Sequence, residues 1–289
     1  MRLTPFSLLL FVAACQRQPE PPKPPITIFA AASLARPLRV LTDSFQQLAS
    51  VPSQSELGGS LEQVRKLTEL GRIPDVLMLV DDDVLAALMP THLDWYVRFA
   101  TNRMVVAYTE RSRHAELLTS ENWWRVLTRR DVTVGRADPN VAPAGKYALS
   151  LLRRAESYYK ESGLGDRLIA QAPLKYVRPN ATELAALLET GNVDYILDYE
   201  SVARQYGFKF VTLPEDLAIA ILYGIAVPRG APHFTEGVNF VAFILSDQGK
   251  RILRDASVNV LSMPVAVGSS VPLEISSRVR TASVGTSQR

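Results

Sequence analysis

Two serines ahead of apolar-periodic runs are the residues of this chain best placed to do chemistry. Ser33 follows Ile26-Thr27-Ile28-Phe29-Ala30-Ala31-Ala32 and opens the spacing Leu34, Leu38, Leu41, Phe45, Leu48. Ser60 follows Gly58-Gly59, heads the run Leu61 to Leu70, and has Gln63 three residues on, as in a capping box. Both patterns predict a strand that stops at small residues and a helix that starts on a hydroxyl, with each serine as N-cap. A helix start carries N–H groups without intrahelical acceptors and a partial positive charge, which favours an anion. Small residues in each turn allow close approach to the backbone. A third turn, Asp138-Pro139-Asn140-Val141-Ala142-Pro143-Ala144-Gly145, sets proline at a helix start and again exposes backbone donors. A capped βα turn with no ligand would use the same residues; recurrence of the device is what points to function.

Other chemistries lack their residues. The three histidines, His92, His114 and His233, stand away from any strand-to-helix turn. No Gly-x-Ser-x-Gly elbow, Cys/His pair or metal-ligand spacing occurs, so the expectation is a binding protein without catalytic or metal-ligating residues. Asp81-Asp82-Asp83 has no further oxygen ligand at useful spacing and reads as the first turn of a helix. Trp123 and Trp124 read as core residues. A net charge of +3 without a basic block excludes nucleic acid as a partner. One cysteine excludes an internal disulfide.

These turns need a scaffold. From Ile26 onward the pattern is β-α-β-α-β-α with apolar strands, which predicts parallel pairing in an α/β fold. Met104 to Tyr108 carries the chain into a second unit with strands at Val132–Ala137, Lys175–Arg178 and Asp194–Tyr199. Leu217 to Val227 reads as the return crossover, followed by helices at Phe234–Leu245 and Gln248–Asp255. The expected architecture is a two-lobed clamshell, two β/α lobes joined by two crossover strands, with a ligand at strand ends between them. Residues 26–103 and 228–267 form one lobe, residues 104–227 the other with the crossovers, and 268–289 a flexible tail.

The chain begins with Met1-Arg2 and runs apolar from Leu8 to Ala14 before Cys15. That is a secretory signal over residues 1–14, too short to span a membrane. Gln16 to Pro25 is a proline-rich tether that reaches roughly 30 Å in polyproline II.

Several motifs together resemble a known family. They are Phe29-Ala30-Ala31-Ala32-Ser33-Leu34, Gly58-Gly59-Ser60, Asp94 to Asn102, Asp138-Pro139-Asn140, and Asp194-Tyr195 with Tyr199-Glu200-Ser201-Val202-Ala203. In order, they resemble the tungstate/molybdate-binding lipoproteins of ABC importers, the archaeal-type branch of the molybdate-binding proteins. The resemblance implies the periplasmic-binding-protein fold and a monomeric receptor that closes on a tetrahedral oxyanion. It implies Ser33, Leu34 and Ser60 as ligand residues, with Ala142, Pro143, Ala144 and Ala181 beside the ligand and Tyr199 in contact. No cofactor accompanies the molybdate or tungstate. Val12-Ala13-Ala14-Cys15 resembles a lipobox, which implies lipidation of Cys15, export, membrane anchoring and an inner-membrane ABC permease as partner. Two positions depart from the family pattern. Where that branch brings carboxylates to the metal centre and raises it toward six-coordination, this chain has Ala142 and Ala181. A donor-only site keeps the guest four-coordinate; another oxyanion such as sulfate is the alternative guest. Asp198, next to Tyr199, is expected to point away from the cleft.

Overall fold

A computed structural model describes residues 23–282. The signal segment, Cys15 and most of the tether lie outside the described residues. The chain first lays down β1 (Ile26–Ala31), β2 (Ser53–Gly58), β3 (Val76–Val80) and β4 (Trp95–Asn102). It then builds β5 (Met104–Tyr108), β6 (Val134–Ala137), β7 (Val177–Arg178), β8 (Tyr195–Tyr199) and β9 (Lys209–Thr212). It returns as β10 (Ile221–Ala226), β11 (Asn259–Gly268) and β12 (Arg280–Thr281). The seven-stranded sheet has the order β12-β11-β4-β10-β3-β1-β2, and the five-stranded sheet β7-β6-β8-β5-β9. Each sheet, with the helices on it, forms one lobe of an α/β clamshell.

β1 pairs parallel with β2 and β3, as the alternating β-α pattern requires. β10 enters between β3 and β4 antiparallel to both, so the sheet as a whole is mixed. This corrects the reading of Leu217–Val227 as crossover alone: Ile221–Ala226 is an interior strand of the first sheet. An apolar run buried on both faces looks the same in either role, and only the pairing distinguishes them. The outward crossing is made by Arg103 alone, between β4 and β5, and the return runs between Thr212 and Ile221.

The helices that matter for the site are α1 (Ala35–Ala49), α2 (Ser60–Thr68) and α3 (Asp82–Ala86) in the first lobe. In the second lobe they are α4 (Trp123–Leu127), α5 (Pro143–Tyr159), α6 (Leu164–Gln171), α7 (Ala181–Glu189) and α8 (Glu200–Gln205). The apolar stripe of α1, Leu38, Leu41 and Phe45, is buried against the C-terminal helix Phe234–Ile244, with Phe45 edge-on to Phe240. Trp123 is fully buried and donates its indole N–H to the Tyr159 hydroxyl at 3.0 Å. The expected tail is ordered at least to Ala282. A short helix over Leu273–Ser276 buries Ile275, and β12 pairs with β11. Polar composition hid this small extension, because one buried isoleucine suffices to hold it.

Candidate functional site

Three helices of the two lobes start on one point. Ser60, Pro143 and Ala181, the first residues of α2, α5 and α7, all line a single cavity of ≈ 20 Å³ between the lobes. Ser33, two residues past the end of β1, and Tyr199, the last residue of β8, complete it together with Ala142 and Ala144. On the same measure a water needs about 10–15 Å³, so the cavity holds one small guest. No Asp, Glu, Lys, Arg or His side chain is in its wall.

The N-caps of α2 and α5 are Gly59 and Ala142, and neither helix has a capping side chain. No side chain covers either first turn, although the Leu61 N–H is taken by the Val141 carbonyl at 3.2 Å and the Gly145 N–H by the Ala142 carbonyl at 3.0 Å. α7 is capped by Asn180, whose side chain accepts from the Glu183 N–H at 3.0 Å.

The serines do not cap. Ser33 sits inside a 3₁₀ turn, Ala32–Leu34, that precedes α1, and Ser60 is already the first helical residue of α2. Their hydroxyls serve tertiary contacts instead. Ser60 Oγ accepts the Val80 N–H at 3.0 Å. Ser33 Oγ accepts the Tyr223 hydroxyl at 3.2 Å, and Tyr223 in turn accepts from Asn102 Nδ2 at 2.8 Å. Each serine oxygen is thus occupied as an acceptor, and its own proton is left to donate. Gln63 likewise turns from the expected capping box, giving its Nε2–H to the Glu56 carbonyl at 3.2 Å.

Tyr199 supplies the third hydroxyl. Its Oη is buried without a hydrogen-bond partner, and the side chain lines the cavity. Burial, aided by Tyr223 and Asp198 nearby, holds the phenol well above its ordinary pKa, so it remains a donor. Asp198 is fully buried and is not in the cavity wall. Burial pushes its carboxyl up to about 7, against a hydrogen bond from the Tyr199 N–H at 2.8 Å.

All the residues singled out from the sequence except Leu34 therefore meet at one cavity. Leu34 is wholly buried in the core and is not in the wall. Arg36 and Lys146 are exposed, Arg36 lying over the Tyr206 ring and bonded to the Gln205 carbonyl. Sequence reasoning missed Val80 and Asn180 in the wall and Tyr223 behind Ser33. Nothing in the strand Ile221–Ala226 marks Tyr223 out beyond its being a polar tip in an apolar run.

A wider, open crevice of ≈ 600 Å³ passes over the crossing residue Arg103. Three arginines line it, Arg103, Arg204 and Arg254, the first two engaged by Glu200, whose carboxylate also faces the crevice.

The family model for bacterial extracellular solute-binding proteins matches residues 26–256. The chain belongs to that family. Among relatives of this solute-binding protein, a Pyrococcus abyssi protein named molybdate/tungstate-binding protein WtpA is 32% identical over 305 residues, covering 86% of this chain and 88% of its own. The sulfate-binding protein SubI of Mycobacterium tuberculosis superposes with a TM-score of 0.68 at 17% identity, over 83% of this chain and 88% of its own. The periplasmic molybdate-binding protein of Azotobacter vinelandii superposes with a TM-score of 0.67 at 15% identity, over 82% of this chain and all of its own. The two structures establish the two-lobed fold of the solute-binding protein. Among the described residues no helix is long and apolar enough to cross a membrane.

Proposed function

We propose that this solute-binding protein is the receptor of an ABC importer for molybdate or tungstate, held as a four-coordinate dianion between the lobes. The single observation that carries this reading is the convergence of three hydroxyl-bearing residues, Ser33, Ser60 and Tyr199, on one cavity whose wall contains no charged side chain. Such a wall offers donors and no ligating carboxylate, so it suits an anion and leaves its own coordination unchanged. The starts of α2 and α5 add backbone N–H groups and partial positive charge without a lysine. Charge-assisted hydrogen bonds contribute about 1.5–3 kcal/mol each, enough in combination for tight binding of one small ion. The guest is cargo, and the scheme requires no resident cofactor.

Ala142 and Ala181 are both wall residues, which supports the four-coordinate reading, since neither can offer an oxygen from its side chain. The name of the Pyrococcus relative supports molybdate or tungstate over other anions. Sulfate is the second reading, favoured by the likeness to the sulfate-binding protein and by a donor set that any tetrahedral dianion could use. Cavity size must separate them. Isothermal titration with molybdate, tungstate, sulfate and phosphate is the test. Nanomolar binding of molybdate or tungstate with none of sulfate is expected; the reverse order would assign the protein to sulfate. In this scheme the monomeric receptor is exported, held at the membrane through lipidated Cys15, and delivers its cargo to a permease.

A further inference from the structure

Gly59 stands at φ −68° and ψ 143°, backbone that any residue adopts. Nothing in its own lobe's conformation asks for glycine. The demand comes from across the cleft. A Cβ at Gly59 would lie 2.0 Å from the Val141 carbonyl oxygen, 2.7 Å from its carbon and 3.2 Å from the Ala142 nitrogen. All three are backbone atoms of the other lobe. They are held by the turn ahead of α5, where the Val141 and Ala142 N–H groups bond to the Asp138 carbonyl at 3.3 and 2.9 Å. A flexible side chain could swing aside from a new methyl; this turn cannot. The Val141 carbonyl also accepts the Leu61 N–H at 3.2 Å. A first-turn donor of α2 is therefore engaged by the opposite lobe and not by a guest.

We propose that Gly59 is the positioning residue of lobe closure: its missing side chain lets the Leu61 N–H reach the Val141 carbonyl, and that backbone bond latches the cavity shut. The proposal rests on the oxyanion reading of the cavity and says how the closed state is secured. Gly59 acts through shape alone. An alanine there leaves the open form and its exposed hydroxyls intact, so encounter with the anion is unaffected while the closed form is lost.

The test compares the full chain with Gly59→Ala in three measurements: thermal melting without anion, stopped-flow binding of molybdate, and small-angle scattering with and without molybdate. Melting without anion is expected to be unchanged. The association rate is expected to hold while dissociation quickens about 100-fold, since changes at an interface fall mainly on the off-rate. The wild type is expected to show a fall in radius of gyration on adding molybdate, and Gly59→Ala to show none. If Gly59→Ala closes and releases molybdate at the wild-type rate, the closure role is wrong and the oxyanion reading stands. A variant that melts well below the wild type, or fails to fold, also overturns it, because glycine is then needed within its own lobe. Wild-type protein that binds none of molybdate, tungstate and sulfate overturns the oxyanion reading, and the latch with it.

Discussion

The Tyr223 phenol donates to Ser33 Oγ at 3.2 Å, and both side chains are buried in the first lobe. Asn102 Nδ2 donates to the same phenol at 2.8 Å and to Ser201 Oγ at 2.8 Å. The order of donation is thereby set, amide to phenol and phenol to serine, which leaves the Ser33 proton to donate elsewhere. Tyr223→Phe removes the middle member and lets the Ser33 hydroxyl rotate inward. Molybdate affinity is expected to fall about tenfold, one lost orienting hydrogen bond, and by less than in Ser33→Ala. Calorimetric titration of both variants checks the order.

The two remaining hydroxyls have opposite consequences for stability. Ser60→Ala takes the acceptor from the buried Val80 N–H, so both affinity and stability drop. The unpaired amide alone costs about 1–3 kcal/mol. Tyr199→Phe removes a hydroxyl that has no hydrogen-bond partner within the protein. Its unfolding temperature without anion is expected to stay level or rise, while affinity falls roughly ten- to hundredfold, the loss of one charge-assisted bond. Denaturation and titration on the same samples separate the two effects. Loss of stability in Tyr199→Phe would show that its hydroxyl is already satisfied.

Asp198 gives the site a pH dependence. Its ordinary pKa is 3.8 and burial raises it to about 7. Between those values the folded protein holds a proton that the unfolded chain releases, so the contribution to stability is complete below the lower value and is lost as pH rises to the upper. Urea midpoints are therefore expected to fall from about pH 4 to about pH 7 and to level off above it, and the fall to shrink in Asp198→Asn. Ionised Asp198 also brings negative charge beside Tyr199, so molybdate affinity is expected to weaken as pH rises through about 7 and to do so less in the variant. A flat profile in the wild type would refute it.

Coordination of the proposed molybdate guest is open to direct measurement. X-ray absorption at the molybdenum edge is expected to report four oxygen neighbours at one short distance. Two further, longer oxygens would mean that some group outside the present wall moves in on binding, and would refute the donor-only site.

Much of this was legible from residue order because the β-α alternation, the Ser33 and Ser60 turns and the Pro143 helix start are local signals. Gly71, Gly191 and Gly207 end helices at positive φ as their positions after apolar runs suggest. What stayed hidden is tertiary. Ser33 and Ser60 look like caps in sequence, yet the Tyr223 hydroxyl and the Val80 N–H, donors from distant strands, recruit their oxygens and leave capping undone. Tyr223 itself carries no motif, and its role exists only because β10 is inserted beside β4. Gly59 is the converse case. Its small size suggested close approach to the backbone, but residue order could not say that what approaches is Val141, some eighty residues further along, or that its own backbone is ordinary.

Only one residue separates β4 from β5, and this has a mechanical corollary. So short a link leaves no slack for sliding, and the halves can part only by swinging about a line through it. Groups next to such a pivot barely travel. Asn102 is one of them, and the relay it begins runs through Tyr223 to Ser33 within the same half. On the oxyanion reading, the Ser33 hydroxyl is therefore already held before the jaw moves, and capture starts from a prepared floor.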